Sequence, residues 1–322
     1  MTSAPALPRE LYRDPVYDGA TDPVVVSDAS GGWWMFYTQR RAIHPDPGPG
    51  VAWVHGSRIG VARSDDGVSW SYVGTLEPDA AGLRLAPGAP PAEVDRTHWA
   101  PEVVWDGDLW WMFLTEIDGV PDRWPGFART IVAYTSHDLE VWERRAPLAL
   151  SSDRVIDAAV ARTPDGRWRL WYKDEAADSV TMVAASDDLS AWELEGFALG
   201  GRPHEGPSAF ELDGRWWLIV DEWRGMGVHR SDDALTWERQ GDADAVVLGA
   251  GTVPGTGFGH HGAPVRDGER LWYYFFAQPS TTPDAGGDGA DTDDVDARRC
   301  AVYRAELRVV DGVLVCEPDA GG

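Results

Sequence analysis

Apolar residues along this chain fall in short bursts rather than at helical spacing. Aromatic runs begin at Trp33 (WWMFYT), Trp110 (WWMFLT), Trp168 (WRLWYK) and Trp216 (WWLIVD), and a fifth, LWYYFF, begins at Leu271. The first four are each followed by a second apolar run, IGVAR, IVAYT, TMVAA and MGVHR. Asp-Gly pairs at 106–107, 165–166 and 213–214 stand just before three of the aromatic runs. Short runs rich in Trp, Tyr, Val and Ile, separated by Asp-Gly turns, predict antiparallel hairpins. The expected class is all-β.

The second apolar run leads each time into one pattern: Ser, then Asp or His, Asp, three variable residues and Trp. It stands at Ser64–Trp70, Ser136–Trp142, Ser186–Trp192 and Ser231–Trp237, with serines 72, 50 and 45 residues apart. A fifth unit ends without it, in CAVYRAEL from Cys300, an Asp311-Gly312 turn and VLVC from Val313. Self-similarity at this pitch predicts a five-bladed β-propeller with four-stranded antiparallel blades. One domain is expected over 14–318, after an N-terminal extension at 1–13. The Asp-, Gly- and Thr-rich stretch at 278–299 is expected to be a mobile loop. Most of the 18 tryptophans are expected to pack between blades.

Eleven residues before Trp33, Trp110, Trp168, Trp216 and Trp272 stand Asp22, Trp99, Asp157, Glu205 and His261. If this offset marks the start of each innermost strand, these five residues ring the central channel, and three carboxylates converge. Like charges brought together raise the pKa of at least one member and cost stability, which points to chemistry. Trp99 reads either as a platform for a sugar ring or as core, with His98 beside it. If the Asp-Gly pairs are two-residue turns, Asp157 faces Asp174 and Glu205 faces Glu222. Lys173, Glu175, Arg40 and Glu222 are then candidates to touch substrate or tune the acids.

Composition narrows the partners. Hydrophobic residues at 43% and charged residues at 25% are enough for a core. The formal net charge of −25, with Lys173 the only lysine, argues against nucleic acid or an anionic membrane as partner. Cys300 and Cys316 have no metal or redox spacing. Met1–Glu10 does not read as a secretion leader, and no apolar run of about 18 residues follows, so the protein is expected to be cytoplasmic.

Asp22-Pro23, Trp99-Ala100-Pro101-Glu102-Val103, Ile156-Asp157, Glu205-Gly206-Pro207 and Gly259-His260 resemble, in this order, the signatures of glycoside hydrolase family 43. Neoagarobiose hydrolases share the layout. The resemblance implies an inverting glycosidase acting on small carbohydrates, arabinofuranosyl, xylosyl or galactosyl in type, from the chain end. It implies Asp22 as general base, Asp157 as the residue tuning pKa and orientation, and Glu205 as general acid. No cofactor is required, although the family's axial histidine often contacts a water or a calcium ion. The Gly-His motif selects His260 for that place; the eleven-residue offset selects His261. Ala158 departs from the family, which usually has proline there. Two other readings stand beside this one: a retaining invertase-like enzyme with Asp22 as nucleophile, and a sugar-binding propeller without turnover. Tyr12-Arg13-Asp14-Pro15 matches an invertase-like signature but precedes the first blade, and reads as coincidental.

Overall fold

A computed structural model describes residues 9–88, 94–253, 257–278 and 292–319. The chain is built almost entirely of antiparallel strands: β1 (Ala20–Ser27), β2 (Trp33–Gln39), β3 (Arg58–Ser64), β4 (Ser71–Asp79), β5 (Gly82–Ala86), β6 (Arg96–Trp105), β7 (Trp110–Asp118), β8 (Thr130–Ser136), β9 (Val141–Pro147), β10 (Val155–Arg162) and β11 (Trp168–Asp174). They continue with β12 (Val180–Ser186), β13 (Glu193–Leu199), β14 (Glu205–Leu212), β15 (Arg215–Asp221), β16 (Met226–Ser231), β17 (Glu238–Arg239), β18 (Gly262–Asp267), β19 (Arg270–Ala277), β20 (Ala301–Val310) and β21 (Val313–Pro318). All five aromatic runs are second strands of hairpins. Among the described residues no helix is long and apolar enough to cross a membrane.

β10–β13, β14–β17 and β18–β21 each form a separate four-stranded sheet in sequence order. The first nine strands depart from the expected separate blades. They make one sheet in the order β1-β2-β3-β4-β5-β9-β8-β7-β6, because the extra strand β5 folds back on β4 and then pairs with β9 from Gly82↔Glu143 to Arg84↔Val141. The pairing covers two outer edges that would otherwise expose unpaired backbone groups. Of the stretch expected to be a mobile loop, 279–291 lie outside the described residues. The rest includes a one-turn helix, α1 (Val295–Arg298), which Asp294 caps through the amide of Asp296.

The first strands close a circle. β1 lies against β6, β6 against β10, β10 against β14, β14 against β18, and β18 against β1. Apolar layers fill the spaces between successive sheets. Phe36 and Val61 meet Met112 and Trp142, Phe113 meets Leu170, Trp171 meets Trp216, Trp217 meets Tyr273, and Trp272 and Tyr274 return to Met35 and Tyr37. Residues before β1 add to this closure, since the amides of Leu11 and Tyr12 reach the carbonyl of Val302 on β20.

The Ser-to-Trp repeat is a turn. Ser136 Oγ accepts from the Leu139 amide at 2.9 Å, and Asp138 Oδ1 accepts from those of Glu140 and Val141, both at 2.9 Å. Ser64, Ser186 and Ser231 repeat the arrangement. Each copy follows the third strand of its hairpin set. Antiparallel order therefore puts it on the rim opposite the starts of the innermost strands.

Candidate active site

A β-bulge interrupts four of the five innermost strands near their starts. It falls between Thr21 and Val24, Trp99 and Glu102, Ile156 and Ala159, and Glu205 and Ser208. In each, one residue takes the left-handed backbone: Asp22 (φ 49°), Ala100 (φ 45°), Asp157 (φ 58°) and Gly206 (φ 54°). Bulges re-aim side chains, and such backbone angles in non-glycine residues cluster at functional sites.

The equal spacing in sequence conceals a difference. Five residues separate Ser27 from its partner Trp33 and Arg162 from Trp168, but only four separate Trp105 from Trp110 and Glu211 from Trp216. Counting back eleven residues therefore lands on the bulge at Asp22 and Asp157, and one residue before it at Trp99 and Glu205. The bulges shift the expected facing pairs, and at β10–β11 so does a five-residue loop over 163–167 in place of the two-residue turn expected at Asp165-Gly166. Asp174 pairs with Val155 and Lys173 with Ile156, while Glu205 pairs with Asp221 rather than Glu222.

The three acids nevertheless meet. Lys173 Nζ donates to Glu205 Oε2 at 2.9 Å, and Trp223 Nε1 donates to Oε1 at 2.9 Å. Asp157 Oδ2 accepts from the amide of Gly206, the residue after Glu205, at 3.0 Å, and the Asp157 amide donates to Thr115 Oγ1 at 3.3 Å. Asp22 accepts from Thr21 Oγ1 at 3.0 Å, and His261 Nδ1 stands 3.4 Å from its Oδ1. Gly206 is the only residue type that fits its place, because a Cβ there would lie 2.4 Å from the His261 ring.

Electrostatics divides the trio. Burial pushes Asp157 up to about 7, the charges of Glu205 and Asp22 add to the rise, and His261 and Lys173 oppose it. Burial also acts to raise Asp22, but the hydrogen bond from His261 and the positive charge of Arg40 bring it down to about 2. Glu205 is likewise lowered against the cost of burial, chiefly by Lys173 and then by Trp223. His261 is raised to about 9, since Asp22, Asp157 and Glu205 outweigh burial.

No protein-family model matches the chain, and no curated protein matches it in sequence. Solved structures do. A thermostable family-43 glycoside hydrolase superposes with a TM-score of 0.65 at 17% identity, over 97% of each chain. A family-43 β-xylosidase/α-arabinofuranosidase from a compost microbial metagenome, in complex with xylotriose and in a calcium-free form, gives 0.66 at 13% identity over 97% of this chain and 99% of that one. The family-32 β-fructofuranosidase BmSUC1 of Bombyx mori gives 0.67 at 14% identity over 97% of this chain and 65% of that one. The chain has the fold of these glycoside hydrolases.

Within that fold the remaining candidates separate. Arg40 is buried over the Phe276 ring, within electrostatic reach of Asp22. Glu175 binds Arg129 and lies 3.8 Å from Lys173. Glu222 is drawn away from the acids to Arg239 and Arg224, at 2.5 and 3.0 Å. His98 is buried among Arg58, Glu116 and Arg96, with its pKa pushed down to about 3 by burial. Trp99 is 7% exposed, donates to the Val54 carbonyl at 3.1 Å and packs against His55 and Trp124. Its ring is largely covered, which favours the core reading of Trp99 over that of a sugar platform.

The two histidines face different ways. His261 lines the channel enclosed by the first strands, a cavity of about 350 Å³ that Asp22 and Glu102 also line. Asp157 and Glu205 do not line it, so of the three acids only Asp22 reaches this channel. His260 is buried between Phe258 and Phe276 with Nδ1 2.9 Å from Asp221 Oδ2. Calcium takes about six to eight oxygen ligands. His261 Nδ1 is directed at Asp22, aromatic rings cover His260, and among the described residues no three His, Cys, Asp or Glu side chains gather to hold a metal ion.

Trp223, Asp221 and Thr115 join the site without being singled out by sequence. Trp223 has a left-handed backbone (φ 55°), fixed by its amide donating to Asp221 Oδ1 at 2.7 Å. Asp221 Oδ2 also accepts from the His261 amide at 3.1 Å. Thr115 and Asp221 share a position that does repeat, the sixth residue of each of the first four aromatic runs, which carries Thr38, Thr115, Lys173 and Asp221. Three of these side chains accept from the amides of Ala100, Asp157 and His261. For Trp223 the available signal was the single Trp immediately after WWLIVDE.

Proposed function

We propose that this chain is a five-bladed β-propeller glycosidase that hydrolyses O-glycosyl bonds with inversion. Asp22 removes a proton from the attacking water, the bond from the anomeric carbon to the leaving oxygen breaks, and Glu205 delivers a proton to that oxygen. Asp157 sets the charge and orientation of Glu205. The observation that carries the reading is the division of one buried acid cluster, with Asp22 held ionised beside His261 while Asp157 is raised to about 7. Carboxyl groups driven apart in pKa by their surroundings are how acid and base roles are distributed, and an ionised Asp22 suits a general base. The substrate class follows the neighbours of the same fold, named as xylosidases and an arabinofuranosidase and including complexes with xylose and xylotriose. Short xylosyl, arabinofuranosyl or galactosyl oligosaccharides cleaved from the chain end are the proposed substrates.

The test is a panel of aryl glycosides, with Asp22→Asn and Glu205→Gln each losing about two to four orders of magnitude, the scale of general acid–base catalysis. Unchanged turnover in both variants would discard these roles. A retaining mechanism with Asp22 as nucleophile is the second reading, favoured by the likeness to the family-32 β-fructofuranosidase. Proton NMR of the first-formed anomer separates them. Inverting enzymes space their carboxyls about 6.5 to 9.5 Å apart and retaining ones about 5 to 5.5 Å. Binding without hydrolysis across the panel would favour a sugar-binding protein.

A further inference from the structure

Lys173 is the only lysine in the chain, and it is buried. It lies near the end of β11 with its ammonium between two carboxylates, 2.9 Å from Glu205 Oε2 and 3.8 Å from Glu175 Oε1. The ammonium also lies 5.1 Å from the centre of the Trp223 ring, whose indole N–H holds the other oxygen of Glu205. Both oxygens of Glu205 thus accept from donors that favour the ionised form. Yet an acid that protonates a leaving group must first hold a proton.

The other titratable groups facing Glu205 do not resolve this conflict. Asp157 from β10, Asp22 from β1 and the paired Asp221 on β15 carry or can carry negative charge. His261, before β18, is committed to Asp22, and His204, before β14, is hydrogen-bonded to Thr181 Oγ1 at 2.7 Å. Of the groups bonded to Glu205, only Lys173 has a second carboxylate within a short swing of its terminal torsion. Glu175 is itself steadied by Arg129, and its side chain is partly exposed.

We propose that Lys173 is a positioning residue that switches Glu205. With the ammonium on Glu205 the carboxylate is ionised and idle; with the ammonium on Glu175, Glu205 accepts the proton it delivers to the leaving oxygen. This inference rests on the glycosidase reading. The proton comes from Asp157, whose carboxyl is bonded to the amide next to Glu205. Asp22 takes a proton from the attacking water and returns it to solvent, from which Asp157 is recharged, so each cycle consumes one water.

The test uses the full chain and Lys173→Met, Lys173→Arg and Glu175→Gln variants. The carboxyl resonance of Glu205, assigned by its absence in Glu205→Gln, is followed against pH by carbon-13 NMR. The midpoint rises by about one pH unit or more in Lys173→Met, a tenfold change in proton affinity, and stays near the wild-type value in Lys173→Arg. An unmoved midpoint in folded Lys173→Met overturns the proposal whether or not a substrate is known. On any aryl glycoside that is cleaved, the alkaline limb of kcat/KM moves to higher pH in Lys173→Met. It moves lower in Glu175→Gln, where the ammonium has lost its alternative partner. Lower kcat with a stationary limb in both variants would mean a merely structural role. Absence of hydrolysis by the wild type across the panel would sink the glycosidase reading alone, leaving the NMR midpoint to decide on Lys173.

Discussion

His261 Nδ1 stands 3.4 Å from Asp22 Oδ1, joining the residue before the last innermost strand to the bulge of the first. The pair closes the ring chemically where β18 and β1 close it mechanically. Its charges stabilise one another, with Asp22 held down at about 2 and His261 up at about 9.

The first prediction removes that partnership. In His261→Gln the carboxylate keeps its burial but loses its main stabilising hydrogen bond and charge, so its pKa rises. The acid limb of the kcat/KM profile should therefore shift upward by about one unit or more. An acid limb at the wild-type pH in a folded His261→Gln protein would remove Asp22 from the base role.

Asp157 makes a prediction about stability. Its folded pKa of about 7 lies above the ordinary aspartate value of 3.8. The folded state therefore binds this proton more tightly, a contribution fully present below the unfolded pKa and lost as pH rises through about 7. Asp157→Asn removes the ionisation while still offering an oxygen to the Gly206 amide. The variant should be more stable than wild type at pH 8, by about 2 to 4 kcal/mol as an upper range, with little difference near pH 4. Thermal melts at the two pH values check this. Equal differences at both would mean that Asp157 is not raised, and the gain at pH 8 should accompany loss of activity.

Much of this arrangement was legible in sequence, and the register missed at the rim traces mainly to the bulges, with the longer loop at 163–167 adding to it. The aromatic runs and Asp-Gly turns mark hairpins because alternating burial and tight turns constrain residue type, and the Ser-to-Trp repeat marks a turn because its serine and aspartate satisfy the same amides each time. The two-residue turn at Asp213-Gly214 is real, with Leu212 paired to Arg215. A bulge leaves no comparable mark, since it needs one extra residue and a left-handed angle that Asp22, Ala100, Asp157 and Gly206 all adopt. Register read from the turns therefore slipped at the rim, where the chemistry lies. Trp223 and Glu222 show the consequence: the neighbour that holds Glu205 is a tryptophan in a left-handed turn, while the glutamate expected there is bound by arginines.

Gly206 tests whether the bulge is needed for its conformation or for its emptiness. A Cβ at this position would come within 2.4 Å of His261 Cγ, and the φ of 54° is strained for alanine. Gly206→Ala should cost about 1 to 3 kcal/mol of stability and displace the imidazole from Asp22. The acid limb should then move in the same direction as in His261→Gln. Destabilisation with an unmoved limb would show that only the backbone angle matters.

The repeat supplies the converse experiment. Asp138 caps its turn by accepting from the amides of Glu140 and Val141, on the rim opposite the acids. Asp138→Ala strips two backbone amides of their partner at a site open to water, so about 1 kcal/mol of stability should be lost, as for other capping carboxylates. Nothing connects this turn to Glu205 except the stiffness of β8 and the sheets it packs between. Steady-state kinetics well below the melting temperature should therefore match wild type in kcat, in KM and in both limbs of the pH profile. A shifted limb in Asp138→Ala would show that the repeat holds the acids in register across the sheet, and the division drawn between a structural rim and a chemical rim would fail.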